Sequence, residues 1–236
     1  MKRLLSGNSD LDDFLGGGYE KDVITTYYGP AGSGKTNLCM LAAVEVAQRG
    51  KKVVFIDTEG GFSVDRFKQL TSDEVIKNIL LLKATSFDEQ KEMFNRLLDE
   101  VNDQLGLIVV DSMVMLYRLE ISNARENGSD KNIIGVNRSM SRQLRILSEI
   151  ARKKLIPVII TDQVYSVFTA DIEDKGKKVN MVGGDLLKYW SKCIIELQTD
   201  KGIRKAILRK HRSLPEKEFS FYINNKGISK AGFRLF

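Results

Sequence analysis

Gly29-Pro30-Ala31-Gly32-Ser33-Gly34-Lys35-Thr36 has the residue types and spacing needed to hold a polyphosphate. Its glycines let successive backbone N–H groups turn inward around an anion. Lys35 adds a point charge for the outer phosphates, and the Thr36 hydroxyl can ligate magnesium. Asn37 opens the next segment, a helix whose N-terminal end is positive. The context is that of a nucleotide-binding loop: Val23 to Tyr28 reads as a strand and Asn37 to Gln48 as a helix. A glycine-rich turn that binds nothing has no need of the Lys-Thr pair at that place.

Three further side chains fall at strand ends. Leu107-Ile108-Val109-Val110-Asp111 is an apolar strand closed by a carboxylate, and beside the loop Asp111 is the expected partner of Thr36 in holding magnesium or its water. Asp57-Thr58-Glu59-Gly60-Gly61 follows the strand Val53 to Ile56; Glu59 is the candidate to orient or deprotonate an attacking water, its alternative being a loop acid that caps the next helix. Gln163 closes the strand that begins at Ile156 and opens a long loop. Its amide can report the γ-phosphate to that loop or make a structural hydrogen bond.

The elements that must position these groups alternate. Val53 to Ile56, Ile79 to Leu82, Leu107 to Val110 and Ile156 to Thr161 are continuous apolar runs, suited to parallel strands covered on both faces. Between them lie helical patterns. Ser86-Phe87-Asp88-Glu89 reads as a capping box, followed by Phe94, Leu97, Leu98 and Val101; Val136, Met140, Leu144, Leu147 and Ala151 mark a second helix ending near Lys153. Cys193 to Leu197, Lys205 to Arg209 and Phe219 to Ile223 predict strands joined by tight turns, one at Asp200-Lys201-Gly202. Arg118 to Ile133 and Val164 to Gly184 read as two long loops at the C-terminal ends of buried strands, where open α/β sheets bind ligands. The prediction is an α/β chain with a mostly parallel sheet, helices on both faces and antiparallel strands toward the C-terminus.

The 236 residues suit one large domain, or at most two, and no apolar run is long enough to span a membrane. Two cysteines, Cys39 and Cys193, are too few for a disulfide framework, which points to a reducing interior. The formal charge of +6 is focused. Residues 201–212 hold six bases and no acid, and removing those six from 37 leaves 31 against 31 acids. Such a segment favours a polyanion or a phosphate, or is a solvated basic strand. Lys210 and Arg212, two apart in a predicted strand, share a face and can meet DNA phosphates or a neighbouring subunit's γ-phosphate; His211 points the other way, to packing or surface.

In combination these motifs resemble the RecA/RadA recombinase superfamily over nearly the whole chain. Ser6 to Gly18 is similar to the opening of a RadA core; Ile56 to Gly60 with Asp65-Arg66, to the segment bearing the catalytic glutamate; Asp111-Ser112 and Tyr117-Arg118, to the second nucleotide motif and first DNA-binding loop; and Thr161-Asp162-Gln163-Val164, to the start of the second such loop. Leu208-Arg209-Lys210-His211-Arg212 is similar to the basic signature of short archaeal RadA paralogues, whose core likewise starts near the N-terminus without a helix-hairpin-helix domain. The resemblance implies a single RecA-like core over residues 1–236 that binds ATP and Mg2+. It implies weak, DNA-modulated hydrolysis with Lys35, Glu59 and Gln163 as catalytic residues. It implies single- and double-stranded DNA, a RadA-type recombinase and other recombination proteins as partners, allows a homo-oligomer, and places the protein in the cytoplasm at the nucleoid. Arg118, Arg125, Lys131, Lys175, Lys177, Lys178, Arg209, Lys210 and Arg212 would then face DNA or act in trans, with Tyr165 and Phe168 available to stack on bases. Asp162 stands where RadA commonly has asparagine. The competing expectation is a KaiC-like regulatory ATPase that binds protein and not DNA.

Overall fold

The computed structural model describes residues 3–128, 130–166 and 179–232. In chain order the elements are α1 (Ser9–Phe14), β1 (Ile24–Tyr28), α2 (Lys35–Gln48), β2 (Lys52–Asp57), α3 (Val64–Leu70), α4 (Asp73–Ile76), β3 (Ile79–Lys83), α5 (Phe87–Glu100), β4 (Leu105–Asp111), α6 (Met115–Glu126), α7 (Asp130–Lys154), β5 (Val158–Asp162), β6 (Val164–Ser166), β7 (Val179–Met181), α8 (Gly184–Trp190), β8 (Ser191–Asp200), β9 (Ile203–Lys210), β10 (Glu218–Asn224) and β11 (Gly227–Lys230).

Among the described residues one nine-stranded sheet runs β11-β10-β9-β8-β1-β5-β4-β2-β3. β8, β1, β5, β4, β2 and β3 are parallel; β9, β10 and β11 continue the sheet antiparallel. The apolar runs explain the centre. On β4, Leu107 and Val109 enter the core beneath α2, whereas Ile108 and Val110 enter the core beneath α5–α8, as the two-residue strand period requires. α2 is buried almost all round because the antiparallel hairpin folds over it; a Cβ on Gly227 would stand 2.7 Å from Leu41 Cδ2. The Lys201-Gly202 turn between β8 and β9 has φ of 45° and 87°, the left-handed pair that a two-residue hairpin needs.

Two expectations are corrected. Ile79–Lys83 is parallel but forms the sheet's edge, and each of its residues keeps some solvent exposure. Arg118 to Ile133 is no long loop: α6 and the first turn of α7 occupy it, with Leu116, Ile121 and Ala124 buried and Tyr117 Oη donating to Asn137 Oδ1 across the helix pair at 2.7 Å. Val164 to Gly184 holds the short hairpin β6–β7 and the start of α8; Lys175, Lys177, Lys178 and Phe168 lie outside the described residues.

Candidate nucleotide site at the strand ends

The phosphate loop joins the C-terminal end of β1 to the N-terminus of α2, so the sheet and the helix dipole aim at one place. Gly34 has φ 102°, and a Cβ on Gly29 would lie 2.3 Å from the carbonyl oxygen of Leu197, so no larger residue fits. Lys35 Nζ donates to Gly29 O at 2.8 Å and Pro30 O at 3.0 Å, folded onto its own loop. Burial lowers the pKa of this ammonium, and the carboxylates of Glu59, Asp111 and Asp162 oppose the shift. Ser33 Oγ and Asn37 Nδ2 are buried without hydrogen-bond partners, two donors on the loop and the first helical turn. Asn37 Oδ1 accepts from Arg66 Nη2 at 2.7 Å; Arg66 also donates to Asn224 O at 2.8 Å and ties α3 to the β10–β11 turn.

Thr36 Oγ1 donates to Asp111 Oδ2 at 2.6 Å, and Thr161 Oγ1 donates to the other carboxylate oxygen. Asp111 is almost wholly buried, which raises its pKa against the pull of both hydroxyls. Hydroxyl and carboxylate oxygens, next to a lysine and a glycine cradle, are the hard donors that suit Mg2+. No cluster of three or more His, Cys, Asp or Glu exists among the described residues. An ion at Thr36 and Asp111 would therefore be completed by phosphate and water, as magnesium sites usually are.

Asp57 shapes the next loop, a role that the sequence reading missed. Its carboxylate accepts from the N–H groups of Glu59 (3.2 Å), Gly61 (3.2 Å) and Phe62 (3.1 Å). Phe62 inserts between Phe55 and Phe67, with centroids 5.0 and 5.2 Å away. Each such ring pair adds about 0.5–1.5 kcal/mol beyond burial. Glu59 is thereby held at both sides, and its Oε1 accepts from Gln163 Nε2 at 3.0 Å. Gln163 sits at the root of the β6–β7 hairpin: its carbonyl accepts from Val182 N at 3.0 Å, and Asp162 Oδ2 accepts from Gly183 N at 3.1 Å. A strand-end Asp two residues before an acid and four before a glycine is the signal that would have found Asp57. Thr161 gave none, since its partner lies on another strand.

Lys210 and Arg212 do not share one strand face. β9 ends at Lys210, so Arg212 is not on the strand; it donates to Glu20 at 2.9 Å and to Asp22 at 2.6 and 2.8 Å, bonds that raise its pKa. Arg209 donates to Glu196 at 2.7 Å and Glu216 at 2.6 Å; Tyr28 Oη also donates to Glu196. Lys210 is exposed and donates to Lys188 O at 2.6 Å. His211 accepts at Nδ1 from the N–H groups of Ser213 and Leu214, both at 3.1 Å, and burial lowers its pKa, so the neutral ring closes the turn after β9. Arg118 and Arg125 are exposed on α6, and Lys131 is exposed on the first turn of α7.

The family model described as Rad51 matches residues 1–231. The chain is 40% identical to the DNA repair and recombination protein RadB of Methanobrevibacter smithii, over 94% of this chain and 93% of that protein. It is 41% identical to the protein of the same name from Methanothermobacter thermautotrophicus, over 99% of this chain and 93% of that one. A solved structure described as the crystal structure of the RadB recombinase matches with TM-score 0.78 at 35% identity, covering 97% of this chain and 100% of the other.

Proposed function

The chain belongs to the Rad51 family, among its RadB members, and from that premise we propose that it binds ATP with Mg2+ and binds DNA as an accessory of homologous recombination and repair beside a RadA-type recombinase. The observation that carries this reading is the convergence of Lys35, Thr36, Asp111 and the Glu59–Gln163 pair at the C-terminal ends of β1, β2, β4 and β5.

Phosphates entering the loop would take Lys35 Nζ from the carbonyls of Gly29 and Pro30 and give it anionic partners. Thr36 and Asp111 would hold magnesium, which supplies charge neutralisation at the phosphate oxygens. Glu59, fixed by Asp57 and Phe62, orients the attacking water and accepts its proton. Gln163 shares the Glu59 carboxylate, so a γ-phosphate that recruits its amide changes the hydrogen bond at the base of β6–β7. Occupancy then biases the segment that follows Gln163, and the protein works as a switch with weak turnover.

DNA would be met by Arg118, Arg125 and Lys131 on α6 and α7, together with Lys175, Lys177 and Lys178. Arg209 and Arg212 are paired with carboxylates, which leaves Lys201 and Lys210 as the exposed cations of residues 201–212 without an ion pair among the described residues. That pairing removes a support of the KaiC-like alternative, a two-cation finger, and the relatives do not favour it. Titration of a fluorescent ATP analogue with and without magnesium tests the site. Saturable binding that Lys35→Ala weakens at least about tenfold is expected, and equal binding by the variant would reject it.

A further inference from the structure

A second basic surface lies away from the strand-end site. On α7, Arg138, Arg145 and Arg152 recur every seven residues, so they form one stripe with steps of about 10 Å. All three are exposed, and none makes an ion pair among the described residues. Ser141 and Ser148 lie between them on the same face. Across a continuous groove stands Trp190 at the end of α8, which lines the concave surface along the whole stripe. Tyr189 meets Trp190 edge-on with centroids 5.4 Å apart and is 70% exposed; Lys192 Nζ stands 5.7 Å from the tyrosine centroid. The groove ends at Asp22, Val23 and Ile24, at the start of β1 and thus at the opposite end of that strand from the phosphate loop.

We infer that this α7–α8 groove is a binding site for a single-stranded nucleic acid, separate from the loops that flank the nucleotide. Unpaired guanidinium groups and serine hydroxyls offer donors to phosphates, and an exposed aromatic ring offers a stacking face for a base. A partner helix would need apolar knobs along the stripe; between the arginines the face presents the hydroxyls of Ser141 and Ser148, and the exposed Ile134 lines only its N-terminal end. The inference rests on the DNA reading above for the choice of polymer.

The test is anisotropy of a fluorescein-labelled oligo-dT across a salt series. It compares wild type, Arg138→Ala/Arg145→Ala/Arg152→Ala, and a charge-matched control, Lys51→Ala/Lys77→Ala/Lys226→Ala. The log–log salt slope of the first variant is expected to flatten by about 2, at about 0.7 for each phosphate no longer neutralised, while the control keeps the wild-type slope. Binding of the ATP analogue should match wild type in both. Iododeoxyuridine in the strand should cross-link to the peptide holding Tyr189, and Tyr189→Ala should weaken binding at least about fivefold. Equal slopes for the two variants with no cross-link there would overturn the inference while leaving the DNA reading intact. Loss of poly-L-glutamate binding with an unchanged DNA slope would assign the face to an acidic protein and overturn it too. Wild type that binds no oligo-dT even at low salt would refute the DNA reading itself.

Discussion

Asp162→Asn exposes the cost of a buried carboxyl. Asp162 is fully buried; Oδ2 accepts from Gly183 N and Oδ1 has no hydrogen-bond partner. Burial lifts its pKa from 3.8 to about 7, with Lys35 pulling it down and Glu59 pushing it up. Because the folded value lies above the unfolded one, the native chain keeps a proton that the unfolded chain has released. Stability is therefore full below about pH 4, falls as pH rises toward 7, and stays low above it. About two of the three shifted units lie between pH 5 and 7. At about 1.4 kcal/mol per unit, wild type loses about 3 kcal/mol there. For a chain of this size that is about 6–12 °C in melting temperature. Asparagine keeps the shape and the acceptor for Gly183 N and cannot ionise. Thermal melts of both proteins at pH 5 and pH 8 should show a wild-type loss larger than the variant's by that amount. Parallel pH dependence of the two would refute the argument that Asp162 is ionised at a cost in the folded chain.

Lys35→Ala is expected to weaken the ATP analogue by about 10- to 150-fold, the value of charge-assisted hydrogen bonds, in a fluorescence titration. Glu59→Gln should bind ATP as wild type does and hydrolyse it about 100-fold or more slowly; normal phosphate release would dismiss Glu59 as the group acting on water. Arg212→Ala should cost about 1 kcal/mol or more, because it also takes a partner from the buried Glu20 carboxylate, and leave oligonucleotide affinity unchanged; lost affinity with an unchanged melting curve would return Arg212 to DNA. Protonation of His211 competes with its two N–H donors. Because its folded pKa lies below the unfolded value, the stability that it gives is lost as pH falls below about 6.5, and His211→Ala should remove that step in an acid melt series.

The sheet was legible because burial on both faces demands unbroken apolar runs, and Val53 to Ile56 and Leu107 to Val110 are such runs. Ile79 to Leu82 reads the same way, since a short apolar run does not say whether one face or two are covered. α6 escaped because its three buried residues fall among arginine, glutamate and asparagine, and Gly128 after them mimics a loop. The strand–turn–helix geometry of residues 29–36 was legible, for its spacing is local. Glu59 and Gln163 were each visible at strand ends, but their mutual hydrogen bond spans 104 positions and comes from the crossing order of β2 and β5 around β4. Arg212 was misplaced because the strand stops two residues short of it, where Glu20 and Asp22, far away in sequence, draw its side chain off.

Single-stranded DNA affinity measured with and without ATP and Mg2+, across a salt series, tests the account at its centre. Salt-sensitive binding that shifts when nucleotide is added, and loses that shift in Lys35→Ala, is the expected result. Nucleotide binding with DNA affinity indifferent to it, or no DNA binding at low salt in either state, would contradict a nucleotide-gated DNA-binding protein.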